Sequence, residues 1–121
     1  MIQNEMDFLG WLDRQLSVEI PAHIIAFSIN VYESPFIVEI VGSNEFDAED
    51  EDWACNEDWI PKVRCIEVSN DLFSSSWEVA EQNIVNMARG YFKSNYANAN
   101  KLKHAKAFAV GFVDGNLNLI K

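Results

Sequence analysis

"HIIAFSINVYESPFIVEIVG", residues 23–42, alternates in character along most of its length. Ile25, Phe27, Ile29 and Val31 share one face of an extended chain, and Ala26, Ser28 and Asn30 share the other. Apolar residues two apart argue for a half-buried strand rather than a helix. "ESP" at 33–35 interrupts the run, and "FIVEIVG" resumes it with Phe36, Val38 and Ile40 inward and Glu39 outward. So short a connection makes the two strands antiparallel neighbours. The fold is therefore expected to be built on a sheet.

On either side of this hairpin the periodicity changes. Residues 5–17 place Phe8, Leu9, Leu12 and Leu16 on one helical stripe. Asn4 suits the N-cap, and Glu5 and Asp7 suit the positive end of the helix dipole. "KVRCIEVS", 62–69, reads as a third strand, with Cys65 a small buried hydrophobe. "SSSWEVAEQNIVNMARGYF" then opens with a capping box of Ser75 and Glu78. Trp77, Ala80, Ile84, Met87 or Ala88, and Tyr91 follow at helical spacing, predicting a helix to about residue 96. "NANKLKHA", 98–105, reads as a loop or frayed end. "KAFAVGFVDGNLNLIK" closes as a hairpin, with Phe108, Val110 and Phe112 alternating, a turn at Asp114-Gly115, and Leu117 and Leu119 returning. The expected fold is α+β: one domain over residues 1–121, an antiparallel sheet of about five strands, and the N-terminal and long central helices on one face, a two-layer sandwich.

A chain of 121 residues with 49% apolar side chains can bury roughly two-thirds of its unfolded surface without metal or disulfide support. Its net charge is −10, unevenly spread. Residues 1–61 hold fourteen acids and one base, Arg14; residues 62–121 hold five acids and eight bases. Nucleic acid and anionic membranes call for a basic footprint, so neither is expected as a partner. Arg89, Lys93, Lys101, Lys103 and Lys106, with Tyr91, Phe92 and Tyr96 nearby, resemble a basic–aromatic patch. Bases near a helix C-terminus, however, complement its dipole. "MIQNEMDFLGWLDRQ" has no basic leader followed by an apolar run, and no stretch approaches membrane-spanning length. Together with two cysteines, Cys55 and Cys65, this suggests reduced thiols in a cytoplasm.

The charge centres on "NEFDAEDEDWACNEDWIP", 44–61, where eight carboxylates occupy the fourteen positions from Glu45 to Asp58 with no Lys or Arg among them. An EF-hand framed from Asp47 would need Gly at its sixth position and Glu at its twelfth; Asp52 and Asp58 stand there instead. Cys55, Cys65, His23 and His104 show no zinc-type spacing, and nothing brings a cysteine and a histidine together as a nucleophile pair. Neither a glycine-rich phosphate loop nor a GxSxG elbow occurs. No enzyme, metal or cofactor is therefore expected. Loops of this length in compact domains are usually functional or disordered. Tryptophans among like charges suit an interface: anchors for affinity, charges for fast association. The expected partner-binding residues are Glu45, Asp47, Glu49, Asp50, Glu51, Asp52, Trp53, Glu57, Asp58 and Trp59, facing a basic protein.

The "FDAEDEDWACNEDW" stretch at 46–59, following a hairpin in a domain of this size, resembles the small acidic immunity proteins encoded beside bacterial polymorphic and contact-dependent inhibition toxins. That resemblance implies a non-enzymatic cytoplasmic protein that binds and neutralises a cognate toxin domain, of nuclease type for so acidic an inhibitor. Two other readings stand beside it. One is an assembly module, with the loop a solvated connection and an open strand edge available for a homodimer. The other is a small-ligand binder, recognisable by an apolar pocket lined by Cys55, Cys65 or His23.

Overall fold

The computed structural model describes residues 1–33, 35–73 and 76–121. The hairpin forms as its alternation dictates: β1 (Ala26–Tyr32) runs antiparallel to β2 (Ile37–Ser43), with Val31 opposite Val38 and Ala26 opposite Ser43. β3 (Cys65–Glu67) lies antiparallel on the far side of β2. β4 (Ala107–Phe112) sits on the other side of β1 and carries β5 (Asn118–Leu119) antiparallel at its edge. The strand order is β3-β2-β1-β4-β5.

The class is α+β with five strands, as expected, but the sheet is mixed. β4 runs parallel to β1, Ala26 beside Ala107 and Val31 beside Phe112. Parallel neighbours need a long crossover. Among the described residues, three helices lie between β3 and β4: α2 (Asn70–Phe73), α3 (Trp77–Phe92) and α4 (Ala99–His104).

α1 (Glu5–Gln15) begins where Asn4 accepts the Asp7 N–H at 2.9 Å, and it packs against α3. α3 begins at Ser76, whose hydroxyl accepts the Val79 N–H at 3.2 Å. The expected Ser75 cap, like Ser34 of the first turn, lies outside the described residues. Phe8, Leu12 and Leu16 from the first helical segment and Ile84, Ala88 and Tyr91 from α3 meet Phe27, Ile29, Val38, Ile40, Phe108 and Val110 from the sheet in one apolar cluster. A polar clasp ties the helical layer together. The Tyr91 hydroxyl donates to Asp13 at 2.8 Å, and the Asn98 amide N–H donates to the same carboxylate at 3.1 Å. Burial, reinforced by the Asp13 hydrogen bond, pushes the Tyr91 phenol well above its ordinary range.

Several expectations change on contact with the fold. α3 stops at Phe92 rather than near 96, and the polar 98–105 segment is α4, held by two wholly buried side chains, Ala99 and Leu102. Trp77 is 55% exposed, because it sits on the first turn of α3 ahead of the buried stripe that begins at Ala80. Cys65 is exposed: it pairs with Glu39 on the face of the sheet away from the helices. The outer edge of β3 is met by the N-terminal segment, where Ile2 donates to Glu67 O at 2.9 Å and accepts from Ser69 N at 2.8 Å.

The helices lie on one face of the sheet, as expected, and the other face of β1 is not left open. Ala26 and Ser28 are wholly buried and Asn30 is 7% exposed, so β1 is covered on both faces. The second cover is the acidic segment after β2. Ile25, just ahead of β1, packs with that outer cluster rather than with Phe27.

Close packing at Gly42 supports one prediction. A Cβ there would lie 2.6 Å from Ile24 Cγ2 and 3.2 Å from Trp59 Cβ, whereas a Cβ at Gly90 on α3 would meet only Glu5 Oε1 at 3.5 Å. Gly42→Ala should lose about 1–3 kcal/mol through overpacking. Gly90→Ala should gain about 0.5–1 kcal/mol through helix propensity. Urea denaturation of the two variants checks the opposite signs.

Candidate functional site

The acidic segment is anchored where it leaves β2. Ser43, buried at the strand end, donates to Glu45 O at 2.8 Å and accepts the Glu45 N–H at 3.1 Å. Asn56 returns from across the loop, its side-chain amide donating to Ser43 Oγ and to Glu45 Oε1, both at 3.0 Å. Asp58 accepts the Asn44 N–H at 2.9 Å and closes the base. Short acidic side chains fold their own backbone into turns. Asp47 accepts the Glu49 N–H at 2.9 Å, and Asp50 accepts the Asp52 N–H at 3.0 Å, capping a 3-10 turn over Glu51–Cys55.

That turn drives Trp53 and Ala54 onto the outer face of the sheet, against Ala26, Ala107 and Ala109. Small side chains at these alternating positions leave room for an indole close to the strands. Phe46 meets Trp53 edge-on, ring centroids 5.2 Å apart, while Ile25 and Leu117 pack around the same cluster. A polar tether fixes the contact: Ser28 donates to Asn30 Oδ1 at 2.7 Å, and Asn30 Nδ2 donates to Ala54 O at 3.1 Å.

Trp59 goes to the opposite face. Its backbone pairs with Gly42 through hydrogen bonds of 2.8 and 3.1 Å, and its ring meets Phe27 edge-on at 5.9 Å inside the helix-side core. The loop thus wraps the edge of β2 with one indole on each side. Trp53 is 3% exposed and Trp59 9% exposed. Expected as partner anchors, the two indoles are instead turned into the protein and hold the loop, so neither can insert into a partner's surface.

The eight carboxylates divide by task. Glu45, Asp47, Asp50 and Asp58 accept the bonds described above, and Glu57 pairs with Arg64. Glu49, Glu51 and Asp52 are exposed, and their side chains accept no hydrogen bond among the described residues. Arg64 also reaches Glu39 at 3.3 Å and is, among the described residues, the only base in ion-pair range of a carboxylate. Glu39 is buried on the outer face and accepts the Tyr32 hydroxyl at 3.0 Å. Burial first, and then this hydrogen bond, pushes the Tyr32 phenol up to about 12.

Glu45, Phe46, Asp47, Asp50, Asp52 and Trp53 enclose a cleft of about 310 Å³. Phe46 and Trp53 form a small apolar part of its wall and four carboxylates line the rest, a shape suited to the charged head of a Lys or Arg with the end of its methylene stem. Among the described residues, no three His, Cys, Asp or Glu side chains are grouped to hold a metal ion. Cys55 lines a smaller cleft of about 190 Å³ beside Ala54, Val113 and Leu117, with no histidine in its lining. His23 and His104 are both exposed. No helix among the described residues is long and apolar enough to cross a membrane.

Sequence reasoning located the charge but missed its platform. The signal was present in Ala26, Ser28 and Asn30 and in Ala107, Ala109 and Gly111: small residues at every second position, which is how a sheet face receives a close cover. No protein-family model, curated protein or solved structure matches this chain.

Trp53→Ala should cost about 3–5 kcal/mol, the range for emptying a buried aromatic site; a loss below about 1 kcal/mol in urea titration would show the loop undocked in solution. Tyr32 gives a pH prediction. Its folded pKa is raised from 10.0 to about 12. Its contribution is therefore complete below pH 10 and is lost as pH climbs toward about 12. Tyr32→Phe should flatten the stability–pH curve in that window and leave its slope at neutral pH unchanged.

Proposed function

We propose that this chain is an acidic, non-enzymatic cytoplasmic binding protein that neutralises a basic protein domain, as immunity proteins neutralise nuclease-type toxins. One observation carries the reading: Glu49, Glu51 and Asp52 stand exposed on an ordered platform and make no internal bond. Like charges held together cost stability, whereas a facing row of Lys and Arg would turn that cost into attraction. The platform is pre-organised by Trp53, so little entropy is lost on docking. The affinity anchor in this reading is a partner Lys or Arg entering the Phe46–Trp53 cleft between Glu45, Asp47, Asp50 and Asp52. The indoles themselves stay in place. A nuclease's nucleic-acid groove has the required charge, and occupying it would block its substrate. Nucleic acid and membranes, being anionic, are not partners in this reading.

The test is titration against the cationic toxin-like domain encoded by the adjacent reading frame, with its nuclease activity followed in parallel. Binding should abolish activity and should weaken at least about tenfold between roughly 0.05 and 0.5 M salt. A Glu49→Lys/Glu51→Lys/Asp52→Lys variant should associate at least about tenfold more slowly, with a smaller change in dissociation. Because none of the three carboxylates is bonded internally, its urea midpoint should match or exceed that of the parent at low salt. Inhibition untouched by the triple change would place the contact elsewhere and defeat the reading.

A further inference from the structure

Bases from the second half of the chain meet apolar residues from the first at a second cleft. Ile20 and Pro21 from the α1–β1 connection, with Ile24 and Phe27, line a cleft of about 360 Å³. Lys101, His104 and Lys106, from α4 and the residues after it, line its other side, and no carboxylate is among the lining residues. Hydrogen bonds tie the two sides together: Lys106 N–H donates to Ile25 O at 2.7 Å, and Lys101 Nζ donates to Leu16 O and Val18 O. An ammonium has three donors, so Lys101 keeps one.

The chain has net charge −10 and nineteen acids, yet neither lysine nor His104 lies within ion-pair range of a carboxylate among the described residues. Complementing a helix dipole accounts for Lys101, whose ammonium donates to the C-cap carbonyl of α1 at Leu16. It does not account for Lys106, which follows α4 and makes no such bond among the described residues. An apolar floor beside Lys106 and the one free donor of Lys101 matches a ligand with a greasy body and one negative end. The volume sits at the small end of ligand pockets, which run from about 300 to 1,000 Å³.

We infer that this cleft binds a small amphipathic carboxylate, its hydrocarbon against Ile20, Ile24 and Phe27 and its carboxylate held by Lys106 and Lys101. This goes beyond the toxin-binding reading: none of the carboxylates between Glu45 and Asp58 lines the cleft, so either conclusion can fail alone.

The experiment is an amide NMR titration of the full chain with sodium octanoate, with acetate and octyltrimethylammonium as controls. Octanoate should give saturable shifts at Ile24, Phe27, Ala105 and Lys106, with a Kd of about 1 mM or tighter; the controls should give none at these positions. Lys106→Glu, at an exposed side chain, should weaken octanoate at least about tenfold while distant amides keep their positions. His104→Glu is the second variant and should act in the same direction. Linear, unsaturable shifts, an equal response to the cationic amphiphile, or indifference to both variants would overturn the proposal. Movement of the same amides on raising protein concentration alone would assign the cleft to a second copy of the chain and overturn it equally.

Discussion

Between Glu45 and Asp58 the chain gathers charges that repel one another, and the contact that keeps them gathered is apolar. Trp53 lies on a floor of Ala26, Ala107 and Ala109, and Asn30 holds the carbonyl of Ala54 beside it. An emptied aromatic site costs about 3–5 kcal/mol, while a like-charge neighbour on a surface costs some tenths. One indole can therefore hold several unfavourable pairs in register. Without it, the Asp47 and Asp50 turns would have nothing to rest on, and the carboxylates would belong to a solvated tether.

The same contact explains the composition of the central strands. β1 is bulky toward the helices, with Phe27, Ile29 and Val31, and small toward the loop, with Ala26 and Ser28. β4 repeats the arrangement with Phe108 and Val110 against Ala107 and Ala109. The thin side of the sheet is shaped for a close cover, and a polar residue there, Asn30, serves as a tether rather than a wet surface position. Exposure and polarity are thus separable on this face.

Much of the fold was legible because it is local. The alternation of 25–31 and 36–40, the stripes of α1 and α3, and the Asp114-Gly115 turn each declare themselves within a few residues. What escaped was long-range. Nothing near Ala107 says that β4 will lie parallel to β1, because that choice depends on how three helices refill the space above the sheet. α4 was hidden because Ala99 and Leu102 are a thin apolar signal among polar neighbours. Cys65 was misplaced by a one-residue ambiguity of facing, which in a strand sends a side chain to the opposite side. For the site, the carboxylates could be named in advance. Their division into those that fold the loop and those left free could not, since it depends on the two ends of the loop meeting, Asn44 with Asp58 and Asn56 with Glu45, and on Arg64 arriving from beyond it.

Trp53 and Trp59 sit on opposite faces of one sheet, joined by five residues that pass around its edge. A segment fastened to a single face can peel away while the remainder stays folded. This one is a rivet with a head on each side, and to free it both the helical core and the outer cover must open. Local fraying and global unfolding then merge into one cooperative event. The Trp59 amide, paired with Gly42 O of β2, should exchange with solvent as slowly as the strands, although it lies in the part of the chain whose composition most resembles a floppy surface loop.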